Sequence, residues 1–445
     1  MFSKVLIANR GEIALRVLKT CQRLGIQTVA VHSDVDAGLP FARRADQAFE
    51  LGPAPVAQSY LNADLIIELA LRSGAQAIHP GYGLLSENAE FARKIEAAGL
   101  VFIGPTPESI VEMGSKVAAR RIAQNAGLPL VPGTPAITSV EEGVREAERI
   151  GYPLLVKASA GGGGIGMTRV KKPARLERAL LEAIDKGNRF FGDGTVFIEK
   201  LIEEPHHVEV QVLGDGRGHV VHLGDRECSM QRRHQKLLEE APGPLLDERQ
   251  RAALCAQAVA LAKRINYRGA GTVEFVADAS GAFYFLEMNT RLQVEHPVSE
   301  LTHDIDLVEW QLRIAAGEPL SLEQEQIQTH GHAIEFRICA EDPAKKFAPC
   351  PGTITRWVEP AGEGIRVDSG VVTGSTVTPY YDSLLAKLIV YGEDREQAIE
   401  RSKTALEGFV VEGIATTVAF HRASLDHPAF IAGNYTTNLS KEIIS

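Results

Sequence analysis

The sequence predicts an α/β fold at the N-terminus, built on a doubly wound parallel sheet and followed by mixed α+β units. Short apolar strands at 4–8 and 27–32 flank a segment with helical spacing at 11–24. A helix, a strand, a helix and a strand follow in turn at 63–72, 75–78, 88–98 and 101–103. Because strands that alternate with helices form parallel βαβ units, this region is expected to form one sheet.

The chain is long enough for several domains. Its 445 residues correspond to two to four domains at roughly 100–200 residues each. We expect an N-terminal α/β domain at 1–113, a helical linker at 114–130, and a small α+β domain at 131–203 with its own glycine loop. The rest, 204–445, is expected to form a C-terminal α+β domain that divides near residues 325–330.

Composition excludes several classes of protein. The net charge of −10 argues against a generally basic nucleic-acid binder. The sequence contains no uninterrupted run of about 18 apolar residues, so a transmembrane helix is not expected. Arg10 and Glu12 interrupt the first apolar stretch too early for a signal peptide. The five cysteines are odd in number and lack CxxC spacing, so we expect reduced thiols in a cytoplasmic protein and no cysteine-based zinc site.

A glycine-rich segment at 152–166 is the first candidate site. An apolar strand leads into Lys157 and then into a run of glycines. Glycines allow successive backbone N–H groups to surround an anion, and a lysine adds a point charge for a phosphate. The spacing differs from a Walker loop. A flexible linker explains the glycines alone equally well, but the strand and Lys157 favour phosphate binding.

The segment 271–295 is the most informative. Strands at 272–278 and 282–288, joined by a two-residue turn at Ser280-Gly281, would place Glu274 directly opposite Glu287. Two adjacent carboxylates repel unless a cation lies between them. Asn289 follows on the same face, and this oxygen set suits Mg²⁺.

The same alternation continues beyond Asn289. Arg291, Gln293 and Glu295 are polar, whereas the residues between them include Leu292 and Val294. The alternative interpretation is the solvated face of a half-buried strand, which has the same period.

Two further segments are ambiguous by themselves. Residues 227–236 contain Arg232, Arg233, His234 and Lys236, which favours an anion site or a basic surface loop. The strand at 331–337 places Glu335 and Arg337 on one face, where a buried ion pair is an equally good explanation. His206 and His207 lack a third histidine at zinc spacing, so a polar or nucleotide contact is expected there.

Taken together, the motifs resemble ATP-grasp enzymes and, within them, biotin carboxylases. The segments that carry the resemblance span residues 4 to about 390 and are KVLIANRGEIALR, HPGYGLLSEN, MGSK, KASAGGGGIGM, ECSMQRRHQK, GTVEFV, FLEMNTRLQVEHPVSE and TPYYDSLLAKL. The resemblance implies an ATP-grasp fold with an N-terminal doubly wound parallel-sheet domain, a small mobile lid at 131–203, an ATP-grasp core to about 325 and a C-terminal region at about 330–440.

The resemblance also implies the role of each site residue. ATP would be bound by Lys116, Lys157, Gly163, Gly164, Glu199, Lys200, Leu201, Ile202, His207, Gln231, His234, Glu274 and Glu287. Of these, the four residues from Glu199 would line the adenine slot, largely through backbone groups. Glu274, Glu287 and Asn289 would hold two Mg²⁺ ions, with Mn²⁺ as a substitute. Bicarbonate would be held by Lys236, Arg291, Gln293, Val294 and Glu295.

The implied reaction assigns catalysis to four residues, Lys236, Arg291, Glu295 and Arg337. Glu295 would deprotonate bicarbonate, which then attacks the γ-phosphate of ATP to form carboxyphosphate. Carboxyphosphate would release CO₂ and a phosphate that takes the N1′ proton of biotin. Arg337 would face the biotin ring and stabilise its enolate-like oxygen.

Departures from the family and the expected partners complete the sequence-based picture. The family usually has Arg or Lys at Ile165, Gly or Glu at Ala160, and Arg at Thr168. The loss of a cation at Ile165 predicts a weaker lid or nucleotide contact, unless this position faces away from ATP. No Ala-Met-Lys-Met motif is present, so biotin is expected on another polypeptide, a biotin carboxyl carrier protein, or on a domain outside this sequence.

We expect a homodimeric, cytoplasmic component of a bacterial acetyl-CoA carboxylase that also works with carboxyltransferase subunits, and that binds neither nucleic acid nor membrane. The open alternatives are a pyruvate or other acyl-CoA carboxylase, a nucleotide-binding subunit with impaired catalysis, and an ATP-grasp ligase that joins a carboxylate to an amine.

Overall fold

A computed structural model describes residues 1–137, 139–158, 167–191 and 194–444. Ala160, Gly163, Gly164 and Ile165, at which the sequence placed lid contacts or departures, lie outside the described residues. Among the described helices, none combines the length and apolar character that crossing a bilayer requires.

The N-terminal segment forms a five-stranded parallel sheet in the order β3-β2-β1-β4-β5. Its elements are β1 Lys4–Ile7, α1 Gly11–Arg23, β2 Gln27–Ser33, α2 Pro40–Arg44, β3 Gln47–Gly52, α3 Ala63–Ser73, β4 Ala77–His79, α4 Ala89–Ala97 and β5 Val101–Phe102. The predicted alternation is confirmed, but the sequence analysis did not predict the short helix α2 or the edge strand β3. Asn9, beyond the end of β1, donates through Nδ2 to the carbonyls of Pro80 and Tyr82, at 2.7 and 2.8 Å, and so joins the two loops at this edge.

Within the described residues, the next segment contains four α-helices and a small three-stranded sheet in the order β7-β6-β8. Its elements are α5 Pro107–Gly114, α6 Lys116–Asn125, α7 Val140–Ile150, β6 Leu154–Ala158, β7 Met167–Val170, α8 Leu176–Phe191 and β8 Val196–Lys200. Ser115 separates α5 from α6 and caps α6 through its hydroxyl. A small core with Leu154, Val156 and Leu180 holds the sheet against α8.

The central and C-terminal segments share an eight-stranded antiparallel sheet in the order β13-β12-β9-β10-β11-β14-β21-β19. The central elements are β9 His206–Asp215, β10 Val220–Arg232, β11 Gln235–Ala241, α9 Glu248–Arg264, β12 Arg268–Ala277, β13 Phe283–Asn289, α10 His296–His303 and α11 Leu307–Ala315. Because β9, β10 and β11 lie between β12 and β14, this one sheet runs through both halves of the region.

The C-terminal elements pack mainly on one face of this sheet, around Phe336, Leu388 and Leu406. They are β14 His332–Cys339, β15 Glu341–Asp342, β16 Ala348–Pro349, β17 Gly352–Thr353, β18 Arg356–Val358, β19 Ile365–Ser369, β20 Thr376–Val377, β21 Leu384–Gly392, α12 Arg395–Gly408, β22 Val410–Glu412, α13 Val418–Leu425, α14 Pro428–Ile431 and α15 Leu439–Ile444.

Two local predictions are wrong. The turn between β12 and β13 is not the two-residue turn Ser280-Gly281, because the Asp278 N–H donates to the Ala282 carbonyl and three residues lie between them. The strand alternation also does not continue to Glu295, since β13 ends at Asn289 and α10 begins at His296.

Candidate active site

Three glutamates form a row across neighbouring strands of the large sheet. Glu209 on β9 lies opposite Glu274 on β12, and Glu274 lies opposite Glu287 on β13. The predicted Glu274–Glu287 pairing is therefore confirmed, whereas the sequence analysis did not identify Glu209. Glu209 and Glu274 are buried and Glu287 is open to the cleft. Directly opposed carboxylates repel each other, so this row requires cations.

Lys236 supplies one positive charge to this row. Its Nζ lies 2.5 Å from Glu209 Oε2, 3.0 Å from Glu274 Oε1 and 2.6 Å from Glu295 Oε1. Burial disfavours the ammonium form, but the three carboxylates outweigh burial and raise the pKa of Lys236 well above its ordinary value. The basic segment divides into two parts. Arg233 and His234, both exposed and with positive φ, form the tight turn between β10 and β11, whereas Lys236 is largely covered on β11, beside the acidic row.

Glu274 and Glu287 have opposite electrostatic environments. Burial would raise the pKa of Glu274, but Lys236 and His207 outweigh it and hold that pKa well below the ordinary range. Although the Glu287 side chain opens to the cleft, the surrounding protein removes part of its hydration, and this desolvation, reinforced by the negative charge of Glu274, raises the pKa of Glu287. A divalent cation between the two carboxylates would relieve this repulsion.

The amide of Asn289 lies between the acidic row and Arg291. Its Nδ2 donates to Glu274 Oε1 at 2.7 Å, and Arg291 Nη2 donates to its Oδ1 at 2.9 Å. The third residue of the predicted magnesium set is thus beside Glu274, with its oxygen directed at Arg291. The ligand atoms of His207, Glu209 and Glu274 also lie within 4.8 Å of one another, which offers a second oxygen- and nitrogen-rich position for a cation. These donor sets fit Mg²⁺ or Mn²⁺.

Lys116 on α6 faces Glu287, and Lys157 on the small sheet lies near Lys116. Burial lowers the pKa of Lys116, the charge of Glu287 opposes this effect, and the charge of Lys157 adds to it. Lys116 is therefore close enough to interact with both residues. Lys157 forms an ion pair with Glu199, which also binds Arg120. Two ammonium groups opposite an acidic row are a suitable arrangement for phosphate–metal complexes.

Hydrogen bonds inside the small domain already use most of the donor groups of the predicted adenine-binding residues. Lys200 Nζ donates to the Tyr152 carbonyl at 2.7 Å, and the Lys200 and Leu201 N–H groups donate to the carbonyls of Pro132 and Pro153, at 2.8 and 3.0 Å. These donors are therefore already used inside the domain. Leu201 and Ile202 are both half-buried.

Three of the predicted ATP-binding residues, His207, Gln231 and His234, come together. Gln231 Nε2 lies 3.3 Å from His207 Nδ1. Burial lowers the pKa of His234, and the charges of Arg169, His207 and Lys157 lower it further. His234 therefore faces both β9 and the small domain.

The predicted bicarbonate residues surround the start of α10. Glu295 Oε2 accepts from Arg337 Nη2 at 2.9 Å, while Lys236 binds its other oxygen. Burial opposes ionisation of Glu295, but Lys236, Arg337 and Arg226 hold its pKa far below the ordinary range. The polar atoms of Gln293 and Val294 are also engaged: Arg226 donates to the Gln293 amide oxygen at 2.6 Å and Lys387 to the Val294 carbonyl at 2.9 Å. Arg291 Nε donates to Glu87 Oε2 at 2.9 Å.

The predicted alternative of a Glu335–Arg337 ion pair is wrong. Arg337 binds Glu239 and Glu295 instead, and both carboxyl oxygens of Glu335 are buried without a hydrogen-bond partner in the described structure.

The sequence analysis missed four residues of this network: Glu87, Glu209, Arg226 and Glu239. Glu209 had a usable signal, because His207, Glu209 and Gln211 alternate with valines on β9. Glu87 had none, since more than 200 residues separate it from Arg291.

Comparisons with known proteins match nearly the whole chain. Residues 1–110 match the biotin carboxylase N-terminal domain, 115–323 the ATP-binding domain of the carbamoyl-phosphate synthase L chain, and 335–442 the biotin carboxylase C-terminal domain. A biotin carboxylase of Halalkalibacterium halodurans is 53% identical over 98% of this chain and 97% of the relative. One component of the pyruvate carboxylase of Methanothermobacter thermautotrophicus is 49% identical over 99% of this chain and 90% of the relative.

Solved structures give the same result. A biotin carboxylase from Campylobacter jejuni, solved as a β-γ-ATP complex, has a TM-score of 0.96 at 46% identity and covers 99% of both chains. The biotin carboxylase domain dimer of Hydrogenobacter thermophilus 2-oxoglutarate carboxylase, with MgADP, ADP and bicarbonate, has a TM-score of 0.95 at 48% identity. That match covers 100% of this chain and 99% of the other.

Proposed function

Because the chain belongs to the biotin carboxylase family and is an ATP-dependent ligase that carboxylates biotin, we propose that it acts through carboxyphosphate on biotin borne by a separate carrier protein. The family and the ATP-grasp fold class predicted from the sequence are confirmed by these matches. The products would be N1′-carboxybiotin, ADP and phosphate.

One observation supports this proposal above all: an unbroken chain of polar contacts joins the acidic row to the arginine proposed to face biotin. Lys236 connects Glu274 to Glu295, and Arg337 binds the other oxygen of Glu295. A phosphoryl group bound at the acidic row and a biotin ring bound at Arg337 would therefore be adjacent, with Glu295 between them.

The nucleotide would bind between the acidic row and the lysines. Glu274, Glu287 and Asn289 would hold Mg²⁺, which neutralises charge on the transferring phosphoryl group. Lys116 and Lys157 would contact the phosphates from the opposite side. Their positive charge favours the phosphate anions even before the metal is counted.

Bicarbonate would bind between Arg291 and Glu295. Glu295 is a weak base while Lys236 and Arg337 both bind it, because these cations favour its ionised form. We propose that bicarbonate, held by Arg291, takes over part of the bonding of Lys236, which would raise the basicity of Glu295 at the moment it accepts the proton. Carbonate would then attack the γ-phosphate.

The second half of the reaction would use Arg337. Carboxyphosphate would decompose to CO₂ and phosphate, and this phosphate would remove the N1′ proton of biotin. Arg337, held by Glu239 and Glu295, would stabilise the negative charge that develops on the ureido oxygen. A preorganised donor of this kind contributes roughly 10²–10³-fold in rate.

We propose acetyl-CoA as the final acceptor, with a biotin carboxyl carrier protein and carboxyltransferase subunits as partners, a homodimer as the assembly and the cytoplasm as the location. Similar chains include a propionyl-CoA carboxylase alpha chain and one component of a pyruvate carboxylase, so another acceptor is the specific alternative. Purified candidate carrier proteins, tested one by one for carboxylation by this chain, would distinguish the acceptors.

The deciding experiment measures ATP hydrolysis with each component omitted in turn. We expect hydrolysis to require Mg²⁺ and bicarbonate and to increase with free biotin. Binding of ATP without bicarbonate-dependent turnover would contradict the proposal and favour an impaired subunit. Dependence on an amine acceptor would instead indicate a carboxylate–amine ligase.

A further inference from the structure

Glu239 and Glu335 form a buried carboxyl pair beside the proposed biotin site. They are directly opposed on β11 and β14, and both are 0% exposed. Glu239 Oε1 accepts from Arg337, but Glu239 Oε2 and both oxygens of Glu335 accept no hydrogen bond within the described chain. Buried polar atoms are normally bonded, so three such atoms in one pair need an explanation.

The charged groups around the pair leave Glu335 without a cation. Those that interact with the pair are Tyr82, Lys236 on β11, Arg337 on β14, Lys387 on β21 and Glu295 at the start of α10. Glu12 on α1, Asp368 on β19 and His296 on α10 lie around Lys387. Each cation has other partners. Arg337 binds Glu239 and Glu295, and Lys236 binds Glu295 and the acidic row.

Lys387 is the remaining cation near Glu335. Its Nζ lies 3.3 Å from Glu12 Oε2 and donates to the Val294 carbonyl at 2.9 Å. Asp368 is bound by Arg366 at 2.6 Å, so it adds no unmatched charge. Within the described residues, no cation forms an ion pair with Glu335. Two negative charges on directly opposed, buried carboxylates would therefore be poorly compensated.

We infer that Glu335 holds a proton shared with Glu239, and that this singly charged pair positions Arg337 for the carboxylation of biotin. The inference rests on the proposed function for its role but not for its proton. Glu239 Oε1 anchors the Arg337 guanidinium. The proton on Glu335 removes a negative charge that would otherwise neutralise Arg337 further. Arg337 thus keeps its capacity to stabilise an anionic substrate oxygen.

The titration properties of the pair agree with this geometry. Burial raises the pKa of Glu335 well above its ordinary value, the positive charge of Lys387 opposes this shift, and the charge of Glu239 adds to it. Burial likewise raises the pKa of Glu239 to about 7, against the charge of Arg337. Loss of the shared proton at alkaline pH would add a third negative charge next to Arg337, and the biotin-dependent rate would fall.

The central test compares Glu335→Gln with Glu239→Gln. Glutamine reproduces the size and neutrality of a protonated glutamate, so Glu335→Gln should fold and keep kcat near pH 7 within about threefold, while the alkaline decline of kcat disappears. Glu239→Gln removes the charged anchor of Arg337, and we expect about a 10²-fold loss of kcat with biotin. Glu50→Gln on the exposed edge strand β3 is the matched control.

An infrared measurement provides a readout independent of activity. The wild-type protein should show the carbonyl band of a protonated carboxylic acid, sensitive to D₂O and absent from Glu335→Gln. Absence of this band would overturn the inference. So would a Glu335→Gln protein that fails to fold or loses activity as severely as Glu239→Gln, because an ionised Glu335 would then be required. If the wild-type protein shows the carboxylic-acid band but no bicarbonate-dependent ATP hydrolysis, the result would contradict the proposed function and leave the protonated pair intact.

Discussion

Glu274 and Glu287 face each other across β12 and β13 because a bulge corrects the register of their hairpin. Near the turn, Phe275 pairs with Phe285, one residue out of the register that pairs Glu274 with Glu287. The extra residue is Leu286, which is 38% exposed. A bulge redirects the side chains that follow it, and here it places the Glu287 carboxylate in the cleft opposite Glu274.

The carboxylate of Glu287 is expected to be essential for turnover but not for folding. Glu287→Lys would replace a proposed metal ligand with a cation beside Lys116 and should lower bicarbonate-dependent ATP hydrolysis at least about 10²-fold. Because Glu287 is exposed to the cleft, the melting temperature should stay close to that of the wild type. Glu90→Lys on the exposed face of α4 is the control. Near-normal turnover in Glu287→Lys would refute the metal assignment.

Lys236 is expected to contribute to stability as well as to catalysis. Lys236→Gln would leave Glu209, Glu274 and Glu295 without their shared cation, and such a loss costs about 3–5 kcal/mol. Urea unfolding at pH 7 measures this change, with Lys345→Gln, an exposed lysine, as the control.

The loss in Lys236→Gln should depend on pH in a defined direction. Among the cations that depress the pKa of Glu274 and of Glu295, Lys236 has the largest effect on each. A depressed carboxylate pKa adds stability above the unfolded-state pKa, and that stability is lost as pH falls through the folded-state pKa. The difference in unfolding free energy between wild type and variant should therefore shrink in acid. A difference that stays constant down to acid pH would contradict this account.

Glu240 is expected to stabilise the C-terminal segment away from the active site. Its carboxylate lies 2.6 Å from His332 Nε2 and accepts from Arg395 Nε at 2.7 Å and from the Tyr435 hydroxyl at 2.6 Å. Burial would raise its pKa, but these partners outweigh burial and lower that pKa to about 2. Glu240→Gln should cost about 3–5 kcal/mol at pH 7.

The sign of the pH effect at Glu240 follows from its lowered pKa. The stabilisation is complete above the ordinary glutamate value of 4.5 and declines as pH falls towards about 2. The difference in melting temperature between wild type and Glu240→Gln should stay constant between pH 7 and about pH 5.5, and it should shrink in more acidic buffer. Convergence at neutral pH would show that another group is responsible.

Arg337 is expected to act mainly in the biotin half of the reaction. Arg337→Lys keeps the charge but loses the planar guanidinium that binds Glu239 and Glu295 together. We expect carboxylation of free biotin to fall about 10²–10³-fold, whereas ATP hydrolysis without biotin should change much less. Arg356→Lys, on the exposed strand β18, is the control. An equal loss in both reactions would place Arg337 in the phosphoryl-transfer step instead.

Local sequence was sufficient for much of the fold and part of the site. The parallel βαβ region was readable from its alternation of apolar strands and helices. The face shared by Glu274 and Glu287 followed from the two-residue period of strands, although the predicted turn between them was wrong. Such features depend on backbone geometry within a few residues, which the sequence specifies directly.

The neighbours of these residues were decided only by the tertiary structure. Glu209 completes the acidic row because β9 inserts beside β12, and Glu239 opposes Glu335 because β11 lies next to β14. Strand order and burial arise from contacts between distant parts of the chain, and burial sets which carboxyl groups stay charged. The sequence by itself therefore determined which side chains share a strand face, while only the folded sheet decided which charges meet and where a proton is held.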